Sequence, residues 1–401
     1  MINQAAILVG GLGTRLGKLT RDTPKPLLSV GKCPFLEILV REIARQGISQ
    51  ILLLSAYHSA KMQRFADELP SRVENDIKVE LSIEPDQAGT GGALWHARNK
   101  LEDSFFLMNG DSYFGISLCK LAGLLSSSPE ITGVLSLRQM ASSPRYGEVK
   151  LDGDRVAEFS SNGSEFGTML VNAGVYCFNQ SLLTDLSPNS SLESDVLPAL
   201  ARSGRLKAVV GEGGFIDIGV PDDYARAQVE IFELLKRPAI FLDRDGVINA
   251  DHGYVGSVER FDWIEGAREA IKSANDAGYL VFIVTNQAGI ARGYYTVEDY
   301  EAVMHHMKRG LAEIGAWIDD SRFCPFHIDG VESRYRADSP WRKPAPGMIL
   351  DLMDHWPIAK TKSFLIGDKQ SDIDAATSAG ISGHLFPGGN LADFVRALIN
   401  R

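Results

Sequence analysis

The chain has 401 residues, too many for one ordinary hydrophobic core, so two or three domains are expected. Hydrophobic residues make up 44% and charged residues 23%, as in a soluble globular protein, and no apolar run approaches the roughly 20 residues that span a bilayer. With 51 acidic and 41 basic residues the net charge is −10, so we expect neither a nucleic acid nor a membrane as partner.

The N-terminus lacks the basic start and the small-residue cleavage site of a signal peptide. The four cysteines, Cys33, Cys119, Cys177 and Cys324, are too scattered to indicate a disulfide framework or a four-thiolate metal site. These features predict a cytoplasmic protein.

Apolar runs alternate with amphipathic stretches from the start of the chain. Residues 5–9, 50–55 and 105–108 predict strands, whereas residues 35–46 and 59–68 predict helices. Such alternation is typical of a mostly parallel sheet with helices on both faces.

Between about residues 133 and 178 the pattern changes to short β-type runs with turn signals. Asp152 and Gly153 form a typical hairpin turn signal. This segment predicts a small antiparallel insertion in the N-terminal domain.

A domain boundary is indicated just past the middle of the chain. Residues 222–236 carry apolar side chains at helical spacing, and Pro238 follows as a stop signal. The alternation of strands and helices restarts at residues 239–242. We therefore predict two Rossmann-like three-layer α/β domains, residues 1–236 and 237–401.

A glycine-rich loop follows the first predicted strand. Gly10, Gly11 and Gly13 let the backbone approach a phosphate closely and present N–H groups to it. The loop fails the dinucleotide fingerprint because Leu16 occupies the third glycine position, and it fails the Walker A pattern because Leu19 follows Gly-Lys. It therefore indicates phosphate binding of another kind.

Charged residues suited to phosphate chemistry follow this loop. Arg15 and Lys25, the latter between two prolines, supply positive charges that could neutralise a triphosphate. Asp111 and Asp217 each lie at the end of a predicted strand. Taken singly, Asp111 could be only a turn residue and Asp217 only a strand-end cap.

The segment GGLGTRLGKLTRDTPKPLL (10–28) resembles the signature of sugar-1-phosphate nucleotidylyltransferases, and the resemblance continues over about residues 4 to 235. It implies a nucleotidyltransferase fold that transfers a nucleotidyl group to a sugar 1-phosphate and releases pyrophosphate, with Mg²⁺ held by Asp111 and Asp217. The other predicted site residues are Arg15 and Lys25 for catalysis, Gly10, Gly11, Gly13, Gly89, Thr90 and Gly91 for the nucleotide, and Glu148 and Asn172 for the sugar.

One departure from this family concerns the sugar phosphate. Many relatives carry a Glu-Lys pair where this chain has Ser160 and Ser161 after Phe159. The absence of that lysine indicates either an altered binding of the sugar phosphate or another cation in its place, for which Arg145 and Lys207 are the candidates.

A second phosphate-chemistry motif follows the first strand of the C-terminal domain. Asp243 and Asp245 flank Arg244, and in such a D-x-D motif one carboxylate can attack phosphorus while the other handles the leaving-group proton, provided that Mg²⁺ screens their repulsion. A calcium loop would need glutamate where this chain has His252. The motif therefore favours a phosphatase.

Residues 239–387 resemble the haloacid dehalogenase (HAD) superfamily, and within it the heptose-1,7-bisphosphate 7-phosphatases. The resemblance implies an HAD-like domain with a minimal cap. The matching segments are DRDGVIN (243–249), DHGYV (251–255), VTNQAGIARG (284–293), RKPAPG (342–347) and IGDKQSD (366–372).

The resemblance also implies the roles of individual residues. Asp243 is the nucleophile that forms an aspartyl-phosphate, and Asp245 is the general acid and base. Asp368 holds Mg²⁺ together with Asp243 and the backbone carbonyl of Asp245. Phosphate or substrate contacts are predicted for Thr285, Asn286, Gln287, Arg292, Arg342, Lys343 and Lys369, with Lys343 stabilising the phosphoryl charge.

Relatives of this phosphatase family often carry a structural zinc site of the form C-x-H…C-x-C before the Arg-Lys-Pro motif. This chain has Cys324-Pro-Phe-His327, and Ser339 and Trp341 stand at the positions of the paired cysteines. Because a closed zinc site needs four protein ligands, we expect no zinc, and we expect the loop to be held by packing around Trp341.

Together the two resemblances predict a fused enzyme of nucleotide-activated heptose synthesis. Its C-terminal domain removes the 7-phosphate of D-glycero-D-manno-heptose 1,7-bisphosphate, and its N-terminal domain then adds a nucleotidyl group, expected to be GMP from GTP, to the 1-phosphate. A nucleoside triphosphate and a phosphorylated heptose are thus the expected partners, and a homo-oligomer is compatible with the family.

Other interpretations stay open at this point. The same reactions could act on a histidinol-phosphate-like substrate and a hexose 1-phosphate, or the chain could be a non-catalytic nucleotide-sugar sensor. Thr285 and Asn286 could merely cap the helix that follows them, and Arg292 could be a solvated surface charge.

Overall fold

The computed structural model describes residues 2–11, 13–56, 58–73, 77–85, 88–143, 146–160 and 167–400. Its contacts divide the chain into two compact units, Met1–Leu234 and Leu235–Arg401. That the two functions also separate after residue 236 stays a prediction. No helix in the described ranges combines the length and apolar character needed to cross a membrane.

The N-terminal unit is built around a mixed sheet that has nine strands in the described ranges. Its strands and those of two small accessory sheets are β1 Gln4–Leu8, β2 Ser29–Val30, β3 Cys33–Pro34, β4 Gln50–Ser55, β5 Lys78–Ile83, β6 Ser104–Asn109, β7 Ser112–Phe114, β8 Gly133–Ala141, β9 Glu148–Asp152, β10 Arg155–Ser160, β11 Thr168–Asn179, β12 Leu206–Gly211 and β13 Phe215–Asp217. The order in the main sheet is β5-β4-β1-β6-β11-β8-β12-β10-β9, and β2 pairs with β3 and β7 with β13. Strands β5, β4, β1 and β6 run parallel, which brings their carboxyl ends to one edge.

Helices cover both faces of this sheet. They are α1 Phe35–Arg45, α2 Ser59–Glu68, α3 Gly89–Ala97, α4 Leu118–Ser126, α5 Leu197–Arg202 and α6 Pro221–Leu235. Alternate residues of β1 point to opposite sides, so Ala5 and Ile7 lie in one core cluster and Ala6 lies in the other. The predicted three-layer architecture is confirmed.

The predicted antiparallel segment is present, but all of its strands, β8 to β11, belong to the main sheet. Strand β11 is antiparallel to both β6 and β8 and lies between them. Only β9 and β10 form a peripheral hairpin, which turns at Gly153 with a φ of 62° and joins β12 through the pair Arg155 and Lys207.

The C-terminal unit contains a parallel sheet in the order β16-β15-β14-β17-β18. Its strands are β14 Ala239–Leu242, β15 Leu280–Asn286, β16 Asp320–Cys324, β17 Phe364–Gly367 and β18 Ser382–Leu385. Its helices are α7 Ala267–Asp276, α8 Ala288–Ala291, α9 Val297–Ala312, α10 Gly347–His355, α11 Gln370–Ala379 and α12 Leu391–Ile399. Because β14 lies between β15 and β17, the residues that follow these three strands meet at one edge of the sheet.

Both faces of β14 are buried, with Ile240 and Leu242 in one core cluster and Ala239 and Phe241 in the other. Between β14 and α7 the chain forms a loop with isolated bridges, in agreement with the predicted minimal cap.

Candidate functional site

Three acidic side chains meet at the carboxyl edge of the C-terminal sheet. Asp243 follows β14, Asp368 follows β17, and Asp372 lies in the first turn of α11. One carboxylate oxygen from each lies within 4.8 Å of the others. Oδ1 of Asp368 is buried and has no hydrogen-bond partner among the described residues. Carboxylate oxygens grouped in this way fit a hard cation such as Mg²⁺.

The sequence analysis did not single out Asp372, although it is the last residue of the segment IGDKQSD. A signal was available, since an aspartate four residues after Asp368 falls in the first helical turn after the strand. Its N-terminal helical position favours a carboxylate.

Lys343 binds two of these carboxylates. Its Nζ lies 3.0 Å from Oδ1 of Asp243 and 2.6 Å from Oδ1 of Asp372, and it donates to the carbonyl of Val284 at 2.8 Å. Only 2% of the Lys343 side chain is exposed. Burial lowers the pKa of Lys343, but the two aspartates raise it more, so the ammonium group stays charged. Burial raises the pKa of Asp243 to about 6, against the lowering effect of Lys343.

Asn286 positions the backbone of Lys343. Its Nδ2 donates to the Lys343 carbonyl at 3.0 Å, and its Oδ1 accepts from the Lys343 N–H at 3.1 Å. Thr285 Oγ1 accepts from Nε2 of Gln287 at 2.8 Å. Neither Thr285 nor Asn286 caps α8, because Gln287 is its N-cap residue. The capping interpretation is therefore wrong.

The carboxylate of Asp245 belongs to a separate buried network. It accepts from Nη2 of Arg244 at 3.0 Å, from Nδ2 of Asn249 at 2.9 Å and from Nε2 of Gln287 at 3.0 Å. Arg244 is fully buried and also donates to the carbonyl of Val255 at 2.6 Å. The side chain of Asp245 is thus oriented by these three donors, its charge helps to raise the pKa of Asp243, and its predicted metal contact through the backbone stays a prediction.

Lys369 lies beside the cluster. Its Nζ is 3.1 Å from Oδ2 of Asp251 and 3.4 Å from Oδ2 of Asp368. Its backbone N–H donates to Oδ2 of Asp372 at 3.0 Å. Burial lowers the pKa of Lys369, but Asp251 and Asp368 raise it more, so a positive charge lies at the rim of the cluster.

Two arginines with predicted phosphate or substrate contacts lie near one histidine. Nη2 of Arg292 is 3.5 Å from Nε2 of His327, and Nη1 of Arg342 donates to the carbonyl of Phe326 at 3.3 Å. Burial, Arg342 and Arg292 together lower the pKa of His327. Arg292 also lies 5.8 Å from the ring centroid of Tyr254, so it is not a freely solvated charge. His327 therefore belongs to this basic group.

The loop at the family's zinc position is held by packing. Trp341 and Phe326 pack against the core cluster that contains Cys324. Burial raises the pKa of the Cys324 thiol, and Nδ1 of His327 accepts from the N–H of Asp329 at 3.1 Å. The expectation of a loop held around Trp341 agrees with this arrangement, and the expectation that zinc is not used stays a prediction.

Gly246 makes room for Asp368. Its φ is 91°, and a Cβ built on it would lie 2.5 Å from Oδ2 of Asp368. We expect Gly246→Ala to lower the free energy of unfolding by about 2 kcal/mol or more and to reduce phosphate release, because left-handed strain and a displaced carboxylate act together. Gly253→Ala is the matched control, since Gly253 has a φ of 71° but no atom within 4 Å of such a Cβ. Equal effects of the two changes in urea unfolding and phosphate release would contradict this prediction.

The N-terminal unit has a cavity of about 580 Å³ at the carboxyl edge of its parallel strands. A volume of this size suits a nucleotide. The predicted site residues that line it are Gly10, Gly11, Gly13, Lys25, Gly89, Thr90 and Asp111.

Lys25 and the two predicted metal-binding aspartates come together beside this cavity. Lys25 forms an ion pair with Asp111. A Cβ built on Gly219 would lie 2.7 Å from Oδ1 of Asp217 and 3.1 Å from Nζ of Lys25. The N–H of Ile218 donates to the carbonyl of Asp111 at 2.9 Å, which ties the two acidic segments together. The arrangement can neutralise phosphate groups or hold a cation.

Four other predicted site residues of this unit, Arg15, Gly91, Glu148 and Asn172, are not among the described residues that line the cavity. Arg15 is exposed. The N–H of Gly91 donates to the carbonyl of Ser190 at 2.9 Å, so this amide is already used within the fold. A Cβ on Gly91 would lie 2.5 Å from Oγ of Ser190, so tight packing explains this glycine. The predicted contact between Gly91 and the nucleotide stays a prediction.

Lys207 does not supply the missing cation. Its Nζ pairs with Oδ2 of Asp154 at 2.9 Å, and its side chain is only 11% exposed. The ion pair ties β12 to the turn of the peripheral hairpin. The other candidate, Arg145, lies outside the described residues, as does Ser161.

Comparison with known proteins finds two families in this chain. The model of the nucleotidyl transferase family matches residues 4–233, which is more than half of the chain. The model of the HAD-hydrolase-like family matches residues 340–393. The chain therefore belongs to the nucleotidyl transferase family and carries a HAD-type phosphatase as its second part, so it is an enzyme.

Similar proteins are known for each part. Over 164 residues the chain is 50% identical to D-glycero-beta-D-manno-heptose-1,7-bisphosphate 7-phosphatase of Rhodopseudomonas palustris, covering 41% of this chain and 91% of that protein. Over 147 residues it is 46% identical to the alpha-anomer phosphatase of Burkholderia mallei, covering 37% of this chain and 78% of that protein. The structure of HddC from Yersinia pseudotuberculosis, also solved with GMP-PN, matches with 32% identity and a TM-score of 0.50 over 57% of this chain and 100% of that one.

Proposed function

We propose that this bifunctional enzyme makes a nucleotide-activated heptose. Its C-terminal unit hydrolyses the 7-phosphate of D-glycero-D-manno-heptose 1,7-bisphosphate, and its N-terminal unit then transfers GMP from GTP to the 1-phosphate. The observation that carries the proposal is the buried pair of Lys343 and Asp243 beside Asp368 and Asp372. The names of the phosphatase relatives and the GMP-PN complex of HddC support the two substrates.

In the phosphatase reaction, an oxygen of Asp243 attacks phosphorus and the bond from phosphorus to the sugar oxygen breaks, which leaves an aspartyl-phosphate. Asp245 protonates the departing sugar oxygen and then accepts a proton from the water that hydrolyses the aspartyl-phosphate. Lys343 neutralises the negative charge on the phosphoryl oxygens. The Thr285 hydroxyl accepts from Gln287, so its own proton is available to donate to a phosphoryl oxygen.

Mg²⁺ is the cation that we propose for both units. Asp243 and Asp368 would hold it in the phosphatase, and the buried Oδ1 of Asp368, which has no hydrogen-bond partner in the described ranges, fits that role. Asp111 and Asp217 would hold it in the transferase. When bound, Mg²⁺ supplies positive charge to phosphoryl oxygens during transfer.

Mg²⁺ should stabilise the C-terminal unit. At a Mg²⁺ concentration about 100-fold above the dissociation constant, binding adds about 2.7 kcal/mol to the free energy of unfolding. This corresponds to a rise of about 5 to 10 °C in unfolding temperature. Asp368→Asn should lose most of this rise. Asp251→Asn is the control, because Asp251 contacts Lys369 but is not part of the three-carboxylate cluster. If Mg²⁺ raised the unfolding temperature of Asp368→Asn as much as that of the unmodified protein, this cation site would be contradicted.

In the transferase reaction, an oxygen of the sugar phosphate attacks the α-phosphorus in line and pyrophosphate leaves. The backbone at Gly10, Gly11 and Gly13 approaches the triphosphate, and Lys25 supplies positive charge to it. These roles agree with the placement of all four residues along one cavity.

A product assay tests the proposal. Purified protein is incubated with heptose 1,7-bisphosphate or histidinol phosphate and with GTP, ATP, CTP or UTP, and phosphate, pyrophosphate and nucleotide sugar are measured. Phosphate release followed by GDP-heptose with GTP is expected. Faster phosphate release from histidinol phosphate, or no GDP-sugar, would overturn the assignment of the corresponding unit.

A further inference from the structure

A buried glutamine links the proposed general acid of the phosphatase to a tyrosine. Gln287 directly follows β15 and is only 1% exposed. Its Nε2 donates to Oδ2 of Asp245 at 3.0 Å and to Oγ1 of Thr285 at 2.8 Å. One amide group therefore contacts both the carboxylate proposed to protonate the sugar oxygen and the hydroxyl proposed to contact the phosphoryl group.

The orientation of this amide depends on the donors at its oxygen, because the two ends of an amide group have nearly the same shape. Oε1 of Gln287 accepts from the hydroxyl of Tyr295 at 2.5 Å and from Nη2 of Arg244 at 3.2 Å. Burial raises the pKa of Tyr295, against the lowering effect of Arg244, so the phenol keeps its proton and can donate. In the opposite orientation the amide oxygen would face the carboxylate of Asp245, which is unfavourable.

Tyr295 is the main donor to this oxygen. Nη2 of Arg244 also donates to both carboxylate oxygens of Asp245, each at 3.0 Å, and to the carbonyl of Val255 at 2.6 Å. This nitrogen carries two hydrogens, fewer than the four acceptor atoms around it. The hydroxyl of Tyr295 instead gives its one hydrogen to Gln287 in a shorter bond.

Two glycines make room for the ring of Tyr295. Gly256 lies in the loop between β14 and α7, and Gly289 lies in α8. A Cβ built on Gly256 would lie 2.2 Å from Cγ of Tyr295, and one built on Gly289 would lie 2.2 Å from its Cε1. The φ of neither glycine is in the left-handed region, so the space that the ring needs accounts for glycine at both positions. These close contacts fix the position of the hydroxyl.

We propose that Tyr295 is a positioning residue of the phosphatase, which acts through Gln287 to hold Asp245 where it can protonate the sugar oxygen; this rests on the proposed phosphatase function. As the bond from phosphorus to the sugar oxygen breaks, that oxygen takes the proton of Asp245, whereas Tyr295 and Gln287 keep their own protons. Without the hydroxyl of Tyr295 the amide can turn, and Asp245 then loses its bond from Nε2. The expected loss therefore concerns proton transfer to the leaving group.

Two substrates with different leaving groups test this inference on the full-length protein with Mg²⁺. Heptose 1,7-bisphosphate releases a sugar alcohol, which must be protonated, whereas 4-nitrophenyl phosphate releases a phenolate that is stable without a proton. The quantity measured is kcat/KM for phosphate release, because it includes the step in which this bond breaks. Since general acid catalysis contributes about 10²- to 10⁴-fold, Tyr295→Phe should lower kcat/KM at least about 10-fold for the bisphosphate and less than about twofold for 4-nitrophenyl phosphate.

Tyr294→Phe is the matched control, because it removes the same hydroxyl from the neighbouring tyrosine. Tyr294 is 61% exposed and its ring packs against Tyr254, so kcat/KM for both substrates should stay unchanged. An equal loss with both substrates in Tyr295→Phe, or no loss with either, would overturn the inference.

A different outcome concerns the proposed function itself. If the unmodified protein released phosphate from 4-nitrophenyl phosphate but not from the heptose bisphosphate, the proposed heptose substrate would be wrong. Histidinol phosphate, whose leaving group is also an alcohol, would then replace the bisphosphate in the comparison. The same selective loss in Tyr295→Phe would support its positioning role, and an equal loss with both substrates would overturn it.

Discussion

Asp243→Asn should abolish phosphate release and leave nucleotidyl transfer unchanged. The amide keeps the shape of the side chain but cannot attack phosphorus, so we expect phosphate release to fall by at least about 10³-fold. Lys343 would keep its bond to Asp372, so the C-terminal unit should stay folded. Phosphate release from heptose bisphosphate and pyrophosphate release from GTP with heptose 1-phosphate are measured on the same preparation.

The reciprocal control is Asp111→Asn, at the nucleotide cavity. It should lower pyrophosphate release and leave phosphate release unchanged. If either variant lost both activities while remaining folded, the two units could not be independent catalysts.

Lys343→Met should lower both the stability and the phosphatase activity of the C-terminal unit. Lys343 lies between Asp243 and Asp372, and all three side chains are less than 10% exposed. Its removal leaves two like charges buried without their partner, which destabilises a protein by about 3 to 5 kcal/mol. The loss of positive charge beside the phosphoryl group should also remove phosphatase activity.

Tryptophan fluorescence during urea unfolding can measure this effect, because Trp263, Trp317, Trp341 and Trp356 all lie in the C-terminal unit. Lys369→Met is the control for stability. The Lys369 side chain is 58% exposed, so loss of its ion pair with Asp251 should cost less than about 1 kcal/mol. Similar losses of stability in the two variants would contradict the dominant role of the buried pair.

Local patterns predicted the secondary structure well where they were strong. The helix expected at residues 59–68 is α2, Ser59–Glu68, and the strand expected at residues 50–55 is β4, Gln50–Ser55. Burial on one helix face leaves a periodic signal in a single segment, and burial on both strand faces leaves a continuous apolar run. The place of the antiparallel segment in the fold was harder to predict, because the sequence pattern of a short strand does not show whether the strand joins the main sheet.

Contacts between segments that are distant in the chain determine the surroundings of the residues that were predicted less well. Lys207 was a reasonable candidate to replace the missing lysine. In the fold, however, its Nζ lies 2.9 Å from Oδ2 of Asp154 in the hairpin. Gly91 stands in a motif associated with bases, but its amide is used by Ser190, which is far away in the chain. No spacing rule could reveal either partner, because each depends on how distant segments pack.

The two chemistries of this protein were predictable from its local motifs. Motifs such as DRDG and the glycine loop with Lys25 depend on local spacing, because a strand end and a tight turn suffice to present a carboxylate or backbone N–H groups. Which charges meet depends on how distant segments pack. The fold places Asp372 against Lys343, because strand order and burial determine which distant groups share a site without water.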